Sequence, residues 1–221
     1  LNRHWTPENV IRSLPDTAIP PHLSENKEQA ELLKDLDRII KSAKDEVYAL
    51  DLHSTSAEGV PFATVGDTLR NRAFAQKLPV TILLGIEEQL EGTLLEYLNN
   101  LGAVTLGYEG GQHYAESTLA VHEALTWRAL VNAGIVEESD ELRRFNEVLR
   151  KATKRPRILE VRYRHAITAA DDFRMLPGFN NFDPIRRSQL LANDRNGPVV
   201  ADEKGLVIMP LYQKLGEDGF F

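Results

Sequence analysis

The sequence predicts an α/β fold, in which a mostly parallel sheet with helices on both faces is joined to a small β-rich C-terminal domain. Up to Thr153, apolar runs of strand length alternate with amphipathic segments of helical length, as in parallel sheets with helical crossovers. After Pro156 the apolar runs become short and are broken by Pro-Gly, Asn-Asn and Asn-Gly pairs. We therefore expect an α/β domain over residues 1–153 and a β-rich domain over residues 154–221.

Apolar spacing and cap signals predict the elements of the first domain in order. Residues from about Glu25 to Lys44 form an amphipathic helix, with Ser24 as its candidate cap. The elements that follow are a strand at 46–52, a helix at 66–78, a strand at 80–84, a helix at 87–100, a strand at 103–107 and helices at 116–133 and 139–151. On the helix at 116–133, the apolar residues Leu119, Ala120, Trp127 and Leu130 are expected to face the core. His122 and Glu123 of the same helix are expected on the surface. Short strands are expected in the β-rich part at 158–167, 189–192, 198–201 and 206–212.

Composition excludes several classes of function. The net charge of −7 and the pI near 5.4 argue against nucleic acid as a partner, because phosphate binding needs a basic surface. No apolar run approaches the length of a membrane span, and no signal peptide is visible, so we expect a soluble, cytoplasmic protein with no membrane partner. The absence of cysteine excludes disulfides and thiolate metal sites. A metal would therefore be held by histidines and carboxylates.

Polar side chains end two of the predicted strands. Asp51 and His53 close the first strand, and Glu109, followed by Gly110 and Gly111, comes after the strand at 103–107. The carboxyl ends of parallel strands meet at one edge of a sheet, so we expect His53 and Glu109 to face one cleft. A histidine there can bind a metal, and a carboxylate can move a proton between water and a leaving amine. The simpler alternatives are a hydrogen-bonded histidine at the core edge and a solvated loop acid. Asp51 either orients His53 or caps a buried group.

Three short motifs resemble one known family. The segments Asp51-Leu-His-Ser-Thr55, Glu109-Gly-Gly111 and Leu1-Asn2-Arg3 resemble motifs of the succinylglutamate desuccinylase/aspartoacylase family, which comprises zinc amidohydrolases related in fold to the zinc carboxypeptidases. Residues 175–182 and 209–221 resemble the β-rich C-terminal domain of that family. The resemblance implies that His53 is a zinc ligand and that Glu109 is the general base. It also implies that Asn2 and Arg3 bind the carboxylate of the substrate.

The activity implied by the resemblance is zinc-dependent hydrolysis of the amide bond of an N-acyl amino acid. One departure from the family pattern matters, because its first His-x-x-Glu zinc pair precedes the Asn-Arg motif, whereas only Leu1 precedes Asn2 here. Two His-x-x-Glu strings, at 22–25 and 113–116, follow that motif, and we interpret both as coincidental. We therefore expect this 221-residue chain to bind zinc weakly or not at all and to hydrolyse little substrate.

A different class of function remains as the alternative, namely a metal-free, catalytically inactive α/β binding module. A peptidase of the carboxypeptidase type is disfavoured, because a C-terminal domain would crowd an extended substrate. The acyl group and the amino acid of the substrate are not predicted, and the sequence leaves open whether the chain forms a homo-oligomer.

Overall fold

The fold is organised around one five-stranded sheet. The computed structural model describes residues 3–13, 24–154 and 157–221, so Asn2 and His22 lie outside the described residues. The strands of the sheet are β1 (Tyr48–Thr55), β2 (Phe62–Thr64), β3 (Thr81–Leu84), β4 (Val104–Gln112) and β5 (Ile158–Glu160), in the spatial order β1-β4-β2-β3-β5. Neighbours are parallel except β4 and β2. The mostly parallel sheet is confirmed. Strand β2 was not predicted, because three residues are too few to show alternation.

Six helices surround this sheet in the described residues. They are α1 (Pro7–Arg12), α2 (Ser24–Ser42), α3 (Leu69–Ala75), α4 (Leu94–Asn100), α5 (Glu116–Asn132) and α6 (Asp140–Thr153), with short 3-10 turns at Glu87–Gln89 and Ala169–Asp171. The helix predicted at 87–100 is interrupted, because Gly92 has a φ of +73° and Thr93 caps α4 by accepting from the backbone N–H of Glu96. The carbonyl of Gly92 accepts the backbone N–H of Trp5. The interruption thus holds the N-terminal segment beside the sheet.

Helices cover both faces of the sheet, as predicted. On one face Leu106 of β4 packs in a buried cluster with residues of α3, α5 and α6. On the other face Leu95 of α4 lies over Gly107. The predicted core face of α5 was wrong in part, because Leu119, Ala120 and Trp127 are exposed. The buried residues of this helix include Val121, Ala124, Leu125 and Ala129. Apolar residues occur on more than one side of α5, so their spacing alone did not select the packed side.

The segment that follows β5 forms small antiparallel sheets that pack against the main one. Its strands are β6 (His165–Ala166), β7 (Arg174–Met175), β8 (Asp183–Ile185), β9 (Leu190–Asp194), β10 (Gly197–Val200), β11 (Gly205–Val207) and β12 (Asp218–Phe220), in the sheets β10-β9-β7, β11-β8 and β12-β6. Phe182 and Phe221 share a buried cluster with Phe62 and Leu83 of the main sheet. The predicted β-type segment at 158–167 begins in β5, which lies parallel to β3 at the edge of the main sheet. The division of the chain at residue 153 stays a prediction.

Within the described ranges, none of the helices has both the length and the apolar composition that crossing a bilayer requires.

Candidate functional site

The carboxyl ends of β1 and β4 bring two of the predicted site residues together. In the parallel register His53 is the partner of Glu109, and Asp51 is the partner of Gly107. His53 and Glu109 both line a cavity of about 1320 Å³, and Arg3 contributes to its wall. The prediction that the two strand-end residues face one cleft is confirmed. Their chemical roles stay predictions.

Asp51 fixes the orientation of the His53 ring. Residues two apart on a strand share a face, and Asp51 Oδ2 lies 2.9 Å from His53 Nε2. This hydrogen bond is the largest cause of the raised pKa of His53. The negative charges of Asp51 and Glu109 raise the pKa further, whereas burial of the ring lowers it. Because the contact occupies Nε2, Nδ1 is the ring nitrogen left to meet a ligand.

Glu109 is half-buried in the wall of the cleft. Its Oε2 atom is inaccessible to solvent and has no hydrogen-bond partner among the described residues. Burial raises the pKa of Glu109 to about 7, with the charge of His53 lowering it and that of Asp51 raising it. An unpaired buried carboxylate oxygen is costly unless a proton or a ligand satisfies it. A pKa near neutrality also suits a group that must both accept and return a proton.

The two glycines after Glu109 are explained by packing against α5. A Cβ added to Gly110 would overlap the ring of His122, and one added to Gly111, where φ is +134°, would lie 2.9 Å from Thr118 Oγ1. His122 was expected on the surface, and the structure corrects this. Its Nε2 donates to the backbone carbonyl of His53 at 2.9 Å. His122 therefore supports the strand end that carries the site, and no motif in the sequence marked it.

Arg3, the predicted carboxylate clamp, is paired with an acid of the C-terminal segment. Arg3 Nη2 donates to Asp218 Oδ2 at 3.0 Å. Arg164 Nε donates to the other oxygen of Asp218 at 2.5 Å, and Arg164 Nη1 donates to the carbonyl of Gln89 at 2.7 Å. One carboxylate thus bridges two guanidinium groups on the cavity wall. Arg164 belongs to no motif, so it was not predicted as a site residue.

A second half-buried acid, Glu87, also lines the cavity and was not anticipated. Its two carboxyl oxygens accept from the hydroxyls of Thr64 and Thr93, each at 3.3 Å. Burial raises the pKa of Glu87, and these two hydrogen bonds partly offset the rise. Unlike Glu109, this acid has its polar atoms satisfied, which suits a structural or substrate-orienting role.

The residues described do not by themselves fit the zinc site that the family resemblance implies. Across residues 3–13, 24–154 and 157–221, no three His, Cys, Asp or Glu side chains are grouped so that they could hold a metal ion. Of the two His-x-x-Glu strings, His22 lies outside the described residues. His113 instead bonds to Ser54 and Gln213. A catalytic zinc ordinarily takes three protein ligands, so His53 alone is not sufficient.

Several solved structures have a fold similar to that of this chain. No protein-family model and no curated protein matches the chain. Among solved structures, the product-bound ectoine utilization protein EutE (DoeB) from Ruegeria pomeroyi is 20% identical with a TM-score of 0.62, over 96% of this chain and 65% of that one. The succinylglutamate desuccinylase from Vibrio cholerae is 20% identical with a TM-score of 0.59, over 96% and 63% of the two chains. Murine aminoacylase 3 is 16% identical with a TM-score of 0.55, over 99% and 74%.

The chain thus spans 66% and 65% of the length of the two EutE structures, apo and product-bound, and 63% of the Vibrio cholerae desuccinylase. At 16–20% identity these likenesses concern the fold. The resemblance drawn from the three motifs is confirmed at that level: the protein has the fold of the succinylglutamate desuccinylase and aminoacylase 3 structures.

Proposed function

We propose that this protein carries the proton-transfer and substrate-binding parts of a deacylase active site, and that the reaction is hydrolysis of the amide bond of an N-acyl amino acid. The observation that carries the proposal is Glu109 itself, which lines a large cleft beside His53 and has one carboxyl oxygen that is buried without a hydrogen-bond partner. A solvated loop acid would have neither the burial nor the raised pKa. The fold shared with a succinylglutamate desuccinylase and with aminoacylase 3 supports this choice.

Glu109 would move the proton in this reaction. As a carboxylate it accepts a proton from the attacking water while the water oxygen bonds to the amide carbon. It then donates that proton to the departing nitrogen as the carbon–nitrogen bond breaks. A carboxyl group with a pKa near 7 is present both as carboxylate and as carboxylic acid at neutral pH, so the same group can serve as base in the first step and as acid in the second. Such a group typically contributes about 10²–10⁴ in rate.

Arg3 would bind the substrate carboxylate through a charge-assisted, two-pronged contact. Its present partner, Asp218, is itself a carboxylate, which supports this role. Asn2 is the second residue proposed for this contact and lies outside the described residues.

A zinc ion could take part in this reaction only if further ligands joined His53. His53 would supply one imidazole through Nδ1, since Asp51 holds Nε2. The remaining ligands would have to come from outside the described residues.

The second candidate, a metal-free binding module, is favoured by one observation, which is the lack of a three-donor group in the described part of the chain. Such a module would use Arg3 and the cavity to hold a carboxylate without turning it over.

One experiment separates the two candidates. The 221-residue chain is compared with a version extended at its amino terminus by a His-x-x-Glu segment, and both are assayed for bound zinc by elemental analysis and for amine release from N-succinyl and N-acetyl amino acids. We expect the extended protein to gain both zinc and activity. Glu109→Gln in that protein should then retain the zinc and lose at least about 100-fold in rate. Glu123→Gln, the same change on an exposed part of α5, is the matched control. An extended protein that binds a carboxylate but takes up no zinc and releases no amine would favour the binding module.

A further inference from the structure

We propose that Ser54, His113 and Gln213 form a second acyl-transfer centre in the cleft, with Ser54 as a nucleophile toward activated acyl carbonyl groups. This proposal goes beyond the deacylase function, and it does not depend on Glu109 or on a metal. It assigns a role to His113, which sequence reasoning explained only as part of a coincidental string.

The hydrogen bonds of these three side chains determine which way protons can move. Ser54 Oγ lies 2.8 Å from His113 Nδ1, and His113 Nε2 lies 3.0 Å from Gln213 Oε1. An amide oxygen can only accept, so Nε2 of the neutral ring carries the hydrogen and Nδ1 presents its lone pair. The Ser54 hydroxyl must therefore donate to Nδ1. This is the arrangement that activates a serine: a nucleophile bonded to a base whose tautomer is set by a third group.

The backbone of the sheet directs Ser54 toward His113. The register of β1 and β4 runs from His53 opposite Glu109 to Thr55 opposite Gln112. Ser54 is thus the single residue that faces two, Gly110 and Gly111, which is a β-bulge. Bulges re-aim side chains and are frequent beside active sites. Beyond the bulge, the backbone N–H of His113 donates to the carbonyl of Thr55 at 3.0 Å, which fixes the position of the histidine.

The three residues meet where a ligand can reach them. Ser54, His113 and Gln213 all line the cavity of about 1320 Å³ that also contains His53 and Glu109. They come from the end of β1, the residue after β4 and the C-terminal segment. An acyl compound bound in this cleft would therefore have the hydroxyl of Ser54 on one of its walls.

The proposed reaction with an activated ester balances as follows. Ser54 Oγ bonds to the carbonyl carbon while its proton passes to His113 Nδ1. The bond from that carbon to the leaving oxygen breaks, and the leaving alcohol takes the proton from His113. The result is an acyl ester on Ser54. Water then attacks this ester, with His113 accepting the proton of the water and returning it to Ser54 Oγ.

The test uses the 221-residue protein treated with a chelator and exposed to p-nitrophenyl acetate. We expect a burst of p-nitrophenolate approaching one equivalent and a single acetyl group that peptide mass mapping locates on Ser54. Ser54→Ala should lose both. Ser56→Ala is the matched control, because Ser56 also lines the cavity but its Oγ accepts from the backbone N–H of Tyr212 at 3.0 Å. Ser56→Ala should keep the burst.

The role of His113 is tested separately from that of the serine. His113→Asn should slow acylation of Ser54 by about 100-fold or more, because it removes the base. Gln213→Ala should slow acylation less, because the ring stays in place while its tautomer is no longer held. Acetyl groups found only on lysines or on His113, or Ser54 acylated at an unchanged rate in His113→Asn, would overturn the proposal. The readout is an acyl adduct, so it is independent of the amine release that tests the deacylase function.

Discussion

Replacing Glu109 by Gln should stabilise the folded protein at neutral and alkaline pH. The carboxyl is buried without a hydrogen-bond partner for Oε2, so ionisation in the folded state is costly. Gln keeps the shape of the side chain and cannot ionise. The wild-type protein carries a destabilising negative charge on Glu109 when the pH is above the pKa of that residue in the folded state. The variant lacks this charge.

The size of this effect follows from the pKa. Burial raises the pKa of Glu109 from 4.5 to about 7. Because the folded pKa is the higher one, the stability that the protonated acid contributes is fully present below pH 4.5 and is lost as the pH rises through about 7. At about 1.4 kcal/mol per pKa unit, the difference corresponds to roughly 3 kcal/mol.

The assay is urea unfolding of wild type and Glu109→Gln at pH 4.5 and at pH 8, both with chelator so that no metal stabilises the carboxylate. The free-energy advantage of the variant should be about 3 kcal/mol larger at pH 8 than at pH 4.5. Glu123→Gln on the exposed face of α5 calibrates the loss of one acid from the surface. An advantage that does not change with pH, or one that is larger at pH 4.5, would refute the assignment of Glu109 as a buried, unpaired acid.

Three further outcomes follow from individual contacts. Asp51→Asn should lower the pKa of His53 measured by NMR titration, because the hydrogen bond from Asp51 is the largest cause of its rise; an unchanged pKa would mean that the pair does not form in solution. Asp218→Asn should cost about 2 kcal/mol in urea unfolding, because it removes the charge that two arginines share, and a neutral result would show that solvent replaces it. Gly110→Ala should cost roughly 1–3 kcal/mol by the same measurement, because the new methyl group overlaps the ring of His122; a stable variant would show that α5 can shift.

The sequence by itself determined most of the helices and strands of this fold and the pairing of His53 with Glu109 at the edge of the sheet. Continuous apolar runs and helical spacing are local signals, so the sheet and its helices were predictable. The site pair was predictable for a related reason. His53 and Glu109 each follow a strand, and parallel strands deliver their carboxyl ends to one edge whatever the details of packing. Asp51 could likewise be placed beside His53 from the alternation of side chains along a strand.

Only the tertiary structure decided which further side chains join this edge. Arg164 meets Arg3 across Asp218, and His113 meets Ser54 and Gln213, through contacts between residues far apart in the chain. The sequence carries no signal for such pairs. The contacts of Arg164, Asp218 and Gln213 depend on how the C-terminal segment packs over the sheet, and the Ser54–His113 contact depends on the register shift between β1 and β4.

Tertiary packing also decided the pKa of Glu109 and the need for glycine at position 110. Burial raises the pKa of Glu109, and the position of His122 on α5 leaves no room for a side chain at Gly110. Local sequence fixes a side chain's chemical type and the element that carries it, whereas its neighbours and its solvent exposure exist only once distant segments have packed together.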